Sequence, residues 1–241
     1  MQVYGRTDIG RSRSSNQDAF ICGRLSDTAL FAVVCDGMGG AKGGNVASSI
    51  AVRVIAERIA ETYRETMTLQ SVRYLLESAV AAANVEVFDA AMADVQLRGM
   101  GTTVVAVVMT GRDGVVAHIG DSRAYLVSRQ GIEQVTRDHS VVQAMVENGQ
   151  ISESEARHHP RKHFITRALG VDETVECELN DIAVPEGAVL LVCTDGLTNM
   201  VDTEDIFTTV TTTPPEEIAD RLIGRANMAG GSDNITVAVL A

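Results

Sequence analysis

Leu30-Phe31-Ala32-Val33-Val34-Cys35-Asp36-Gly37-Met38-Gly39-Gly40 decides how the rest of the chain must fold. Five apolar residues and a cysteine, β-branched toward the end, read as a strand buried on both faces. The run stops at a carboxylate, and glycine fills three of the next four positions. An Asp at the mouth of a buried strand is costly unless a positive group meets it. The glycines let the backbone turn sharply and leave carbonyl oxygens open to a ligand, and a metal ion satisfies both features.

The pattern recurs. Val189-Leu190-Leu191-Val192-Cys193-Thr194-Asp195-Gly196 is a second apolar strand ending in Asp-Gly, and Gly230-Gly231-Ser232-Asp233-Asn234 leads into a strand at 235–240. A further strand at 115–119 ends in Gly120-Asp121-Ser122-Arg123. Near the start, Arg13-Ser14-Ser15-Asn16-Gln17-Asp18 precedes a strand at 19–22 and reads either as a solvated surface loop or as an anion-binding arginine beside a metal-seeking carboxylate. One Asp-Gly is ordinary turn chemistry. Asp18, Asp36, Asp121, Asp195 and Asp233 together are not accounted for by turns.

Composition narrows the functional classes. The 241 residues carry 32 acidic against 20 basic groups, a net charge of −12, which opposes long-range attraction to nucleic acid or anionic lipid. No apolar run approaches a membrane span, and the opening Met1-Gln2-Val3-Tyr4-Gly5-Arg6 reads as mature sequence, not a secretion signal. Cys22, Cys35, Cys177 and Cys193 lack Cys-x-x-Cys spacing and read as small core residues of a reducing, cytoplasmic compartment.

Between the aspartates the pattern is of strands, two long helices, more strands and a late helix. Apolar stripes predict helices at 45–63, 69–92 and from about 215, and hairpins at 102–119 and 124–135. Consecutive hairpins point to antiparallel sheets and an α+β fold instead of βαβ winding. No linker divides the chain, so 1–241 is expected to be one domain, with residues 138–170 set apart by composition. That segment contains a short helix at 140–148, a capping-box start at Ser152 and the basic run Arg157-His158-His159-Pro160-Arg161-Lys162-His163. Pro160 and the irregular histidine spacing disfavour zinc, and a solvated flap that touches substrate is the expectation.

If the five aspartates converge, their repulsion must be cancelled by cations or by protonation. All-oxygen ligands favour hard ions, hence magnesium or manganese over zinc. Two such ions can activate one water while a phosphoryl group is held for in-line attack.

Arg13 through Asp18, Asp36-Gly37-Met38-Gly39-Gly40, Gly120-Asp121-Ser122-Arg123, Thr194-Asp195-Gly196 and Gly231-Ser232-Asp233-Asn234 resemble, in order and spacing, the motif series of the metal-dependent type 2C serine/threonine protein phosphatases. His159-Pro160 and Ile165-Thr166-Arg167-Ala168-Leu169-Gly170 resemble the flap of the bacterial single-domain members. The resemblance implies a four-layer α-β-β-α sandwich with two central antiparallel sheets and a flap. It implies hydrolysis of phosphoserine and phosphothreonine by a water or hydroxide bridging two Mn2+ or Mg2+ ions. It further implies Asp36 as the bridging ligand, Gly37 as a carbonyl ligand, and Asp195 and Asp233 completing the first site. Asp18 would act through water, Asp121 with Asp195 would hold a weaker third ion, Arg13 would bind the substrate phosphate, and Asn234 would orient its neighbouring ligand. A monomer that opposes a serine/threonine kinase in cytoplasmic signalling is the implied setting.

Met38 stands where many eukaryotic relatives carry a histidine proposed as general acid, and a thioether donates no proton. Two other classes compete. A metal or phosphopeptide sensor without turnover would be favoured by loss of a metal aspartate or of Arg13, and none is missing. A divalent-metal nuclease is opposed by the net charge of −12 and by only four, scattered tyrosines.

Overall fold

A computed structural model describes residues 1–241, the side chain of residue 41 aside. The strands are β1 (Val3–Asp8), β2 (Asp18–Arg24), β3 (Ala29–Met38), β4 (Gly101–Thr102), β5 (Val104–Thr110), β6 (Asp113–Ile119), β7 (Arg123–Ser128), β8 (Gly131–Gln134), β9 (Glu178–Ala183), β10 (Val189–Cys193) and β11 (Ile235–Leu240). The helices are α1 (Gly40–Thr62), α2 (Leu69–Ala93), α3 (Val141–Glu147), α4 (Glu153–Ala156), α5 (Asp195–Thr198), α6 (Thr203–Thr212) and α7 (Pro215–Met228).

The strands form two sheets, ordered β1-β11-β10-β7-β8 and β2-β3-β5-β6-β9, and every pairing is antiparallel. β3 shows why its sequence is apolar without alternation. Successive side chains point to opposite faces of a strand. Leu30, Ala32 and Val34 therefore join Val105, Val107, Leu190, Val192 and Ala238 in a core between the sheets. Phe31, Val33 and Cys35 face the other way, onto α1 and α2. On the far side, Leu191, Val237 and Val239 pack against α6 and α7. Three apolar layers between four layers of secondary structure result, as the motif resemblance implies.

Several boundaries differ from the sequence expectation, each for a tertiary reason. α1 begins at Gly40, five residues before the apolar stripe, although glycine is a poor helix former. A side chain on Gly37 or Gly44 would collide with the other's carbonyl, and one on Gly39, at φ +123°, would lie 2.6 Å from Met100 Cα. Close backbone approach thus overrides helix propensity at this end. α6 was not apparent in its threonine-rich sequence, yet Ile206, Thr209 and Val210 are buried, and Thr209, Thr211 and Thr212 bond their hydroxyls to carbonyls four residues back. Asp195-Gly196 is the first turn of α5, not a free turn. The expected capping box is present, with Ser152 and Glu155 bonding each other's backbone N–H.

Candidate metal centre

β2 and β3 are in register with Asp18 directly opposite Asp36. Facing like charges destabilise a sheet, so this pair needs compensation. Asp18 is buried; its Oδ2 accepts hydrogen bonds from the hydroxyls of Thr194 (2.9 Å) and Thr236 (2.6 Å), while its Oδ1 has no partner. Burial first, against those two hydroxyls, and then the charges of Asp195 and Asp233, push the Asp18 pKa up to about 7.

Asp36 is held through its backbone. Its N–H donates to Thr103 Oγ1 (2.9 Å), and its carbonyl accepts from Thr102 Oγ1 (2.8 Å) and from the Thr103 N–H (2.9 Å). The strand runs on through Asp36 and Gly37 to Met38, because β4 pairs with Gly37 and Met38. Burial, followed by the charges of Asp18, Asp195, Asp121 and Asp233, raises the Asp36 pKa well above the carboxylate range.

The remaining aspartates arrive from both sheets. Asp195 opens α5, where Asn199 Nδ2 donates to its Oδ2 at 2.9 Å. Burial and then the charge of Asp233 raise its pKa, against a hydrogen bond with Asp36, the charge of His163 and the bond from Asn199. Asp121 follows Gly120, whose φ of +102° sets the turn after β6, and burial and then the charges of Asp195 and Asp138 raise its pKa. Asp233 pairs with Arg13 at 2.7 Å and accepts the Asn234 N–H at 2.8 Å. Arg13 also lies in the field of Asp36 and Asp195.

Asn234 is buried, and its amide organises the loop that carries Arg13. Its Oδ1 accepts the Gln17 N–H (2.8 Å), and its Nδ2 donates to the carbonyls of Ile9 (2.9 Å) and Ser15 (3.0 Å). The sequence reading missed Thr102, Thr103, Thr194 and Thr236, whose hydroxyls hold the aspartates. Thr194 precedes Asp195 directly, whereas Thr102, Thr103 and Thr236 adjoin no motif residue and carry no local signal.

The donor set fits hard divalent ions. Asp18 Oδ1 is a buried carboxylate oxygen without a donor, and four of the five aspartates have pKa values raised by burial and by one another. Among the described residues, no three aspartates bring oxygens within 4.8 Å of one another, so the carboxylates are not closed on one point.

Residues 6–223 match the family model for protein phosphatase 2C. The chain belongs to that family. It is a metal-dependent serine/threonine protein phosphatase, a hydrolase whose substrates are phosphoproteins. It is 39% identical to the serine/threonine phosphatase stp of Listeria monocytogenes over 98% of this chain and 94% of that protein. Among solved structures it is similar to the serine/threonine phosphatase Stp1 of Staphylococcus aureus, with TM-score 0.94, 31% identity and coverage of 100% and 94% of the two chains. It is also similar to the catalytic domain of the phosphatase PstP in complex with two manganese ions, with TM-score 0.86, 34% identity and coverage of 99% and 96%. No helix of the described residues is long and apolar enough to cross a membrane.

Proposed function

We propose that this phosphatase works at the cleft ringed by the five aspartates. Asp36, the Gly37 carbonyl, Asp195 and Asp233 would hold two Mn2+ or Mg2+ ions, Asp18 would act on them through water, and Asp121 with Asp195 would hold a weaker third. Ions bound there supply Lewis acidity to the phosphoryl oxygens and lower the pKa of a shared water. What supports the reading is that partly buried carboxylates at the ends of both sheets raise one another's pKa values beside the Arg13 guanidinium.

The chain's own residues supply the rest. Thr102 and Thr103 fix the Asp36 backbone, so its carboxylate is aimed before any ligand arrives. Arg13, half-exposed, presents a planar fork that matches two phosphate oxygens, and only one of its nitrogens is engaged, with Asp233. Met38 offers no proton to the departing serine or threonine oxygen, so the proton comes from solvent at the Asp121 side of the cleft. We take 1–241 as one catalytic domain, with the flap at 138–170 inside it. A cytoplasmic monomer that reverses a serine/threonine kinase in signalling fits the four free cysteines and the net charge of −12.

Assays of the purified protein on a phosphoserine peptide and on DNA, with manganese and then with excess chelator, test the function. Release of phosphate from the peptide only, and only with metal, is expected; cleavage of DNA or turnover in chelator removes the reading. Arg13→Ala should lower kcat/KM on a phosphopeptide several-fold to hundredfold, about 1–3 kcal/mol, the scale of a charge-assisted hydrogen bond. An unchanged constant would return Arg13 to a solvated loop.

The flap carries the selectivity prediction. Arg161 and His163 are exposed, and Phe164 keeps 60% of its surface open to solvent. Replacing Arg161 and Lys162 by alanine should reorder a panel of phosphopeptides while changing hydrolysis of a small aryl phosphate by less than about threefold. Equal losses on both would mean that the segment supports the cleft itself.

A further inference from the structure

Behind the Asp121 turn lies a cluster of two buried histidines and a partly buried glutamate that the catalytic reading does not use. His118, His139 and Glu178 bring side-chain nitrogen and oxygen atoms within 4.8 Å of one another, and the two imidazole rings are 4.5 Å apart at 33°. The grouping invites a metal, but its hydrogen bonds point elsewhere. The Gly120 N–H donates to His139 Nδ1 at 3.1 Å, so that nitrogen carries no proton and the ring proton sits on Nε2. Nε2 then donates to Glu178 Oε2 at 3.3 Å, which fixes the tautomer. A metal at Nε2 would have to strip that proton while Nδ1 stayed engaged, leaving an imidazolate, or else break the Gly120 bond. The guanidinium of Arg167, 3.4 Å from Nε2, further opposes a cation.

The same atoms make a clamp. The His139 N–H donates to the Gly120 carbonyl at 2.8 Å, and His118 Nε2 donates to that carbonyl at 2.9 Å. Both backbone groups of Gly120 are therefore held by His139, with φ at +102° and Thr103 packed where a side chain would stand. The His139 carbonyl in turn accepts the Thr166 N–H at 2.7 Å, and the Val141 N–H donates to Phe164 O at 2.8 Å, so the two ends of the flap meet at His139. Glu178 is placed for its role by the β6–β9 register, which sets it opposite His118.

We propose that His139, its tautomer set by Glu178, is a positioning residue that locks Gly120 and thereby aims Asp121, joining the root of the flap to the Asp121 side of the cleft. The inference rests on the reading of Asp121 as a ligand for the weaker ion. It acts on metal affinity through Asp121, and groups that orient a ligand commonly affect affinity or activity by about 10–100-fold.

The test compares His139→Leu, which removes the acceptor, with His139→Asn, whose Oδ1 can stand in for Nδ1, and uses two readouts besides turnover. In metal-free wild-type protein, long-range proton–nitrogen NMR should show His139 with its proton on Nε2, and the Gly120 amide should exchange slowly. His139→Leu should speed Gly120 exchange and weaken the weakest manganese site in calorimetry by about tenfold or more, and His139→Asn should restore most of both. A proton on Nδ1 in the wild type, Asn behaving no better than Leu, or stoichiometric zinc binding that shifts both histidine rings would overturn the proposal. Should Asp121→Ala turn over at the wild-type rate, the assignment of Asp121 falls, whereas the tautomer and the Gly120 exchange still report on the clamp itself.

Discussion

Asp36→Asn should remain folded and lose phosphopeptide turnover by more than about 10²–10³-fold, the usual cost of deleting one preorganised electrostatic group. The larger loss is expected because this one carboxylate is proposed to serve both ions. The substitution is nearly isosteric. The groups that hold residue 36, the Thr103 hydroxyl and N–H and the Thr102 hydroxyl, bind its backbone and are untouched by the change. Without metal the carboxylate is a liability, since burial and four neighbouring aspartates raise its pKa. Unfolding in chelator at neutral pH should therefore occur at the same temperature as in the wild type or higher, while activity in saturating manganese is lost. Turnover within tenfold of wild type would rule out Asp36 as the shared ligand, and early unfolding would show that Asp36 supports the fold.

The layers of the fold were legible in the sequence because residues 29–35 of β3 and all of β10 are apolar without alternation, as strands covered on both faces require. The aspartates were legible because each interrupts such a strand or its turn, where an uncompensated charge has no structural use. What local sequence could not carry is chemistry made by distant partners. Thr194 and Thr236 look like ordinary strand residues until pairing of β10 with β11 brings both hydroxyls onto Asp18. His139 looks like part of a polar loop until Gly120, nineteen residues earlier, is found against its ring. α6 was hidden because β-branched threonines argue against a helix locally, and burial of Ile206 and Val210 outweighs that preference.

The proposed site also predicts how stability depends on pH and metal. An unfolded aspartate titrates near 3.9, and the folded protein holds the Asp18 proton up to about 7, with Asp36, Asp121 and Asp195 shifted in the same direction. Over that interval the folded state binds more protons than the unfolded one, so these carboxylates cost stability as pH rises. The histidines act oppositely. Burial, with the charge of His139 second, lowers the His118 pKa to about 4, and burial first lowers that of His139, so both contribute stability that is lost as pH falls below about 6.5. Above about pH 6.5 the histidines are neutral in both states and the carboxylates act alone. The unfolding temperature in chelator should therefore fall from about pH 6.5 to 8. Manganese reverses the trend, because it binds the deprotonated carboxylates and competes with protons for them. At an ion concentration about 100 times the dissociation constant the stabilisation is about 2.7 kcal/mol. For a chain of this size that corresponds to roughly 5–11 °C in the unfolding temperature. The gap between the manganese and chelator curves should widen with pH, and Asp36→Asn should narrow it. A gap that is constant or shrinks toward high pH would show that the aspartates do not share the ions in the way proposed.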